Sequence, residues 1–137
     1  MDYVHEIDIY VRFSETDAAG HVNNVSYFFY FEEARTKFFK IVCPERNDAL
    51  NFILASITCD YISQAYAGQE LKLYTYVTNV GGKSFTIGHT LSDKATGIEI
   101  AKTTAITVCF NYAEQKTIEI PNELRQNLTS YLQALPK

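Results

Sequence analysis

The sequence has no block of lysines or arginines, and its formal net charge is −4 over 137 residues. A phosphate backbone is held by clustered cations, so nucleic acid is excluded as a partner. No apolar run approaches the roughly 20 residues of a membrane-spanning helix, and the opening MDYVHEIDIY lacks the basic-then-apolar order of a signal peptide. The expectation is a cytoplasmic protein with no membrane partner. Cysteines are few: Cys43, Cys59 and Cys109 are odd in number and far apart, which suits reduced thiols in apolar surroundings better than a disulfide framework. His5, His21 and His89 form no HxxxH pair and have no CxxC companion, so no metal is expected. Internal repeats, low-complexity segments and linkers are also missing. Residues 1–137 therefore read as one domain, long enough to bury about two-thirds of its unfolded surface.

The chain does have aromatic side chains in quantity, 14% of residues within a hydrophobic fraction of 47%. They concentrate in residues 12–42, RFSETDAAGHVNNVSYFFYFEEARTKFFKIV. The first third is a polar, turn-rich loop with Asp17, Gly20, His21, Asn23 and Asn24. The remainder steps by four and three through Tyr27, Phe31, Ala34, Phe38 and Ile41, which predicts a helix over 24–42. Phe28, Phe29 and Tyr30 make its first turns apolar nearly all round, so a sheet is expected to wrap it. Glu32 and Glu33 precede Arg35, Lys37 and Lys40, Glu33 can pair with Lys37, and Pro44 stops the helix.

A loop that runs into a helix N-terminus has chemical consequences. The first N–H groups of the helix lack intrahelical acceptors and point where partial positive charge accumulates, so an oxyanion is favoured there. Asn23 or Asn24 can cap the helix, Gly20 lets the loop bend, and Asp17 sits upstream as an ionised base or nucleophile.

Around this stretch the pattern is extended. Glu6 to Phe13 alternates Ile7, Ile9, Val11 and Phe13 on one face. Strands are predicted over 52–63, 71–80, 84–91 and 98–110, with a hairpin at Gly81-Gly82. In the last of these, Ile98, Ile100, Ile106 and Val108 share one face and Ala101, Thr103 and Ala105 the other, where small side chains would let a thick helix lie close. From Pro121, read as the first helical residue, Leu124, Leu128, Tyr131, Leu132 and Leu135 mark a short amphipathic helix that caps the core. The sum is an α+β domain: a mostly antiparallel five-stranded sheet wrapped around one long helix, with a short C-terminal helix.

The string Thr16-Asp17-Ala18-Ala19-Gly20-His21-Val22-Asn23-Asn24, followed by Tyr27 and Phe31-Glu32-Glu33-Ala34-Arg35, resembles the hotdog-fold thioesterases of the 4-hydroxybenzoyl-CoA thioesterase type. Element order agrees over residues 3–112, and motif agreement is confined to 12–35. The resemblance implies a hotdog fold and hydrolysis of acyl thioesters. It puts Asp17 in the catalytic carboxylate position and the Asn24 backbone N–H where the thioester carbonyl is polarised. His21 and Asn23 would orient Asp17, hold the loop or meet substrate, with His21 a further catalytic candidate. Tyr27 either contacts substrate or packs in the core. Lys83 and Ser84, after the glycine pair, are candidates for the CoA phosphates. No cofactor is implied, CoA entering as part of the substrate. Hotdog domains build their sites at a dimer interface, so a homodimer or homotetramer is expected.

The run His21-Val22-Asn23-Asn24 is not shared by the aromatic-CoA members and looks more like the aliphatic acyl-CoA branch. It also looks like acyl-carrier-protein thioesterases, but these have an asparagine where this chain has Ala19. An acidic carrier also prefers a basic surface that a net charge of −4 does not suggest. Acyl-CoA ranks first, with an acyl-carrier-protein thioester or a non-catalytic acyl-CoA-binding role as alternatives.

Overall fold

A computed structural model describes residues 3–133. In chain order the elements are β1 (His5–Tyr10), α1 (Asn24–Val42), β2 (Asn51–Tyr61), β3 (Glu70–Val80), β4 (Ser84–Asp93), β5 (Glu99–Asn111), β6 (Lys116–Thr117) and α2 (Asn122–Thr129). The sheet runs β1-β3-β4-β5-β2, every neighbouring pair antiparallel, and β6 adds two residues to β5. This is the hotdog arrangement, with one strand more than the five expected. β6 was missed because two exposed residues carry no periodicity.

The helix forms where its spacing predicts. Tyr27, Phe31, Ala34 and Phe38 are buried against the sheet. Lys37 Nζ donates to Glu33 Oε2 at 2.8 Å. At the C-terminus Cys43 N–H closes on Phe39 O, Asn127 Nδ2 donates to Val42 O, and Pro44 follows. Two expectations fail. Ile41 is exposed and Val42 is buried instead: from Phe38 the buried stripe steps by four, so Val42 enters the cluster with Phe52 and Leu124 and Ile41 turns outward. The sheet also covers only one side of α1. Val25 and Phe29 are each 63% exposed and Phe28 38%, so the apolar circumference of the first turns is not enclosed within one chain.

Side-chain size lets α1 sit close. Leu71, Leu73, Thr75 and Val77 of β3 and Phe85, Ile87, His89 and Leu91 of β4 all point inward. On β5 the inward face is the small one, Ala101, Thr103, Ala105, Thr107 and Cys109, while Ile106 looks outward. Ile100 departs from that alternation and is buried beside Ala101, because the register shifts between Leu91 and Ser92. Further shifts at Leu54/Ser56 and Val77/Asn79 add the local twist that curls a sheet around a helix. Gly88 admits the ring of Tyr76 from the adjoining strand, which a β-carbon would meet at 2.4 Å.

β1 ends at Tyr10, short of the predicted Phe13, because residues 13–15 coil into a 3-10 turn that leaves Phe13 84% exposed. At the other end, Pro121 precedes the helix as its cap rather than opening it. Leu124 and Leu128 close the core and Tyr131 meets Phe38 edge-on at 5.0 Å. Leu132 is partly exposed, and Leu135 lies outside the described residues. Cys43, Cys59 and Cys109 are free thiols, and burial pushes the Cys109 thiol up to about 12.

One titratable group lies in the middle of the core. His89 is fully buried, shares a 2.9 Å hydrogen bond between Nδ1 and Thr75 Oγ1, and stacks on Phe31. Burial, with the nearby Arg35 cation second, drops its pKa to about 3. Below the ordinary imidazole value the unfolded chain takes up a proton that the folded chain refuses. Stability attributable to His89 is thus complete above about pH 6.5 and falls as pH drops toward 3, at up to about 1.4 kcal/mol per pH unit. Chemical denaturation across that window should show the wild type losing stability relative to His89→Gln; parallel curves would contradict a neutral buried imidazole.

Candidate functional site

The loop between β1 and α1 is a miniature hairpin. Glu15, Thr16 and Asp17 run antiparallel to His21, Val22 and Asn23, with a bridge between Thr16 and Val22. Its rungs are Asn23 N–H to Glu15 O (3.1 Å) and Asp17 N–H to His21 O (3.0 Å). The tip closes with Gly20 N–H on Asp17 O, and Gly20 takes φ +86°, a conformation that costs an L side chain about 1–2 kcal/mol. Val22 is buried and its N–H donates to Ala65 O, which ties the hairpin to the segment leading into β3.

Asp17 is held at both oxygens. Oδ1 accepts from Ala19 N–H at 2.8 Å, and Oδ2 lies 3.4 Å from His21 Nδ1. The carboxylate stays 39% exposed, so each oxygen keeps lone-pair capacity for an incoming water or carbonyl. His21 is half-buried, edge-on to Tyr66, with Nδ1 also 3.5 Å from Val22 O.

The hairpin delivers the chain to α1 through Asn23, which settles the choice of cap. Asn23 Oδ1 accepts from Ser26 N–H at 2.9 Å. Asn24 is the first helical residue, and among the described residues its N–H meets no acceptor. That donor, supported by the helix dipole, is available to an oxyanion. Beside it lies a cleft of about 100 Å³ lined by Asn24, Tyr27, Tyr61, Ile62, Ser63 and Gln64. Tyr27 is 2% exposed, so it both packs the core and floors the cleft, its ring 5.4 Å from that of Tyr61. Burial raises the Tyr27 hydroxyl above its ordinary pKa, which keeps it neutral.

Asp17, His21, Asn23, Asn24 and Tyr27 thus come together at one end of the sheet. Lys83 and Ser84 do not join them within the chain. Tyr10 pairs with Glu70 and Leu71 with Asp93 at the hairpin's end, whereas the 81–84 turn closes the opposite end, where Ile120 N–H reaches Gly82 O and Arg125 Nη2 reaches Gly81 O. Tyr61, Ser63 and Gln64 were not identified from sequence; they sit where β2 runs out, and only strand pairing brings them to the helix. Glu15, which sequence reasoning did not single out, fastens the loop through its side chain. The Arg12-to-Glu15 interval of three residues was the available signal.

The thioesterase-like superfamily model matches residues 11–128. An uncharacterized protein of Bacillus subtilis, YsmA, is 34% identical over 119 residues, covering 79% of this chain and 80% of its own. The acyl-CoA thioesterase YbgC of Haemophilus influenzae is 23% identical over 130 residues, covering 91% and 94%. A solved structure described as a predicted thioesterase from Bacillus stearothermophilus superposes with a TM-score of 0.89 at 28% identity, covering 98% of this chain and all of the other.

Asn23→Ala removes the side-chain acceptor for Ser26 N–H. It should lower unfolding free energy by about 1 kcal/mol in urea denaturation. No change would show that the helix start is held by the hairpin alone.

Proposed function

The chain belongs to the thioesterase-like superfamily and is a thioesterase; on that premise we propose that its substrate is an acyl-CoA and that Asp17 does the chemistry. The observation that carries this reading is the placement of a half-exposed, two-point-held carboxylate on the hairpin that opens directly into an uncommitted helix N-terminus.

With the acyl group in the cleft beside Tyr27 and Tyr61, the thioester carbonyl oxygen accepts from Asn24 N–H. Asp17 takes a proton from water as the water oxygen bonds to the carbonyl carbon, and the oxyanion is held by Asn24 and the helix dipole. Collapse of this intermediate breaks the C–S bond and releases the CoA thiolate, which takes the proton back from Asp17. Direct attack by Asp17, giving an acyl anhydride that water then cleaves, uses the same geometry. His21 keeps Asp17 aimed, and Asn23 fixes the donor.

The same reading assigns the protein to a homodimer. β2 is an edge strand paired on one side only, with Leu54 and Tyr61 exposed along it. Such an edge is a ready template for a second copy. Two-fold antiparallel pairing through β2 brings the far end of each sheet to the loop end of the other. Lys83 and Ser84 of one copy then approach the site of its mate, where Lys83 suits the CoA phosphates. The exposed Val25, Phe28 and Phe29 offer a further face for a dimer of dimers. Among the described residues no helix is long and apolar enough to cross a membrane. We assign the reaction to the cytoplasm, where CoA esters are met, with CoA required only as part of the substrate.

The test is free-thiol release from short, medium, long and aromatic acyl-CoAs. Asp17→Asn should reduce kcat by about 100-fold or more with melting behaviour preserved. Equal release by both proteins would remove Asp17 from the chemistry. Release from acyl-carrier-protein thioesters alone would replace the substrate.

A further inference from the structure

Glu15 is placed with unusual care for a residue of a surface turn. Its side chain is only 15% exposed. Oε1 accepts from Arg12 N–H (2.9 Å) and from the Tyr30 hydroxyl (2.8 Å), and Oε2 from Arg12 Nε (3.2 Å) and Nη2 (3.0 Å). Its carbonyl accepts from Asn23 N–H, the rung that joins the hairpin to α1. One residue therefore ties together the end of β1, the outgoing arm of the hairpin, the helix cap and, through Tyr30, the second turn of α1.

We propose that Glu15 is a positioning residue for Asp17, clamping the hairpin to α1 so that the reacting carboxylate is held in line with the Asn24 donor. The proposal rests on the assignment of Asp17 above. Glu15 touches no reacting atom, but Asp17 lies two residues along the same arm, and its own rung, to His21 O, is the next one outward. Without the clamp the hairpin keeps its internal rungs and pivots as a unit about Val22, carrying Asp17 with it. The charge on Glu15 is part of the device. Burial opposes ionisation, yet Arg12 and the Tyr30 hydroxyl outweigh it and hold the carboxyl below its usual range, while burial and the Glu15 charge push the Tyr30 hydroxyl up. Tyr30 is 4% exposed, so the anchor itself is immobile.

The experiment measures kcat and KM for an acyl-CoA that the wild type hydrolyses, in Glu15→Ala, Glu15→Gln, Tyr30→Phe, Asp17→Asn and the Glu15→Ala/Asp17→Asn pair, with melting curves for each. Displacement of a reacting group by about 1 Å costs on the order of 100-fold, so Glu15→Ala should lose roughly 30- to 100-fold in kcat with KM within about threefold. Glu15→Gln, whose amide oxygen still accepts from Tyr30 and Arg12, should recover part of this, and Tyr30→Phe should fall in between. Adding Glu15→Ala to Asp17→Asn should cost nothing more, because only the placement of Asp17 is at stake. Wild-type kcat in Glu15→Ala, or in Tyr30→Phe if Glu15→Ala does not fold, would overturn the proposal while leaving Asp17 in its role. An additive loss in the pair would do the same. Full turnover by Asp17→Asn would overturn the Asp17 assignment and this proposal with it.

Discussion

The geometry of the loop end depends on the backbone and side chain of Asn23. Its N–H belongs to the hairpin, bonded to Glu15 O, and its Oδ1 belongs to the helix, bonded to Ser26 N–H. A residue shared in this way joins hairpin to helix, and the Glu15 side chain, held by Arg12 and Tyr30, braces the same joint. Neither half supplies that joint alone. A hairpin of two rungs is too small to persist in water, and a helix start left uncapped frays.

The helix is equally shared between site and core. Tyr27 packs beneath the cleft it floors, Tyr30 anchors Glu15, and Phe31 and Phe38, both fully buried, lie against the sheet. Truncating either phenylalanine would cost about 3–5 kcal/mol, a large part of the stability of a domain this size. The small inward side chains of β5 make room for this helix, so core packing holds the Asn24 donor at a fixed height above the sheet. The outer aromatic side of α1 follows another logic: Val25, Phe28 and Phe29 contribute nothing to this core and are surface features of a single copy.

What could be read from sequence was what is encoded locally. The helix bounds, the Glu33–Lys37 pair and the alternation of β3 and β4 rest on periods of 3.6 and 2 residues, and each appeared where expected. The cluster of Asp17, His21, Asn23 and Asn24 was legible because its members fall within residues 17–24 and one turn connects them. Where Lys83 lies relative to Asp17 was not legible, since it depends on which end of β3 faces the loop, a matter of strand direction settled by pairing with β1. Phe13 failed because the strand period was carried past the point where the chain coils into a 3-10 turn, and Ile41 because a step of three was read where the buried stripe steps by four to Val42. For Glu15 only the Arg12 pair is local; its partner Tyr30 is 15 residues away, so its link to α1 was not legible.

The central claim, that the N-terminus of α1 beside Asp17 receives the thioester carbonyl, is tested most directly by amide NMR during titration with a non-hydrolysable acyl-CoA analogue that keeps the carbonyl. The account predicts that the largest displacement falls on the Asn24 N–H, followed by the amides of residues 17–23, with smaller shifts at 81–84 through the nucleotide. Saturable binding that leaves Asn24 and the hairpin unmoved, with shifts confined to another part of the chain, would contradict it.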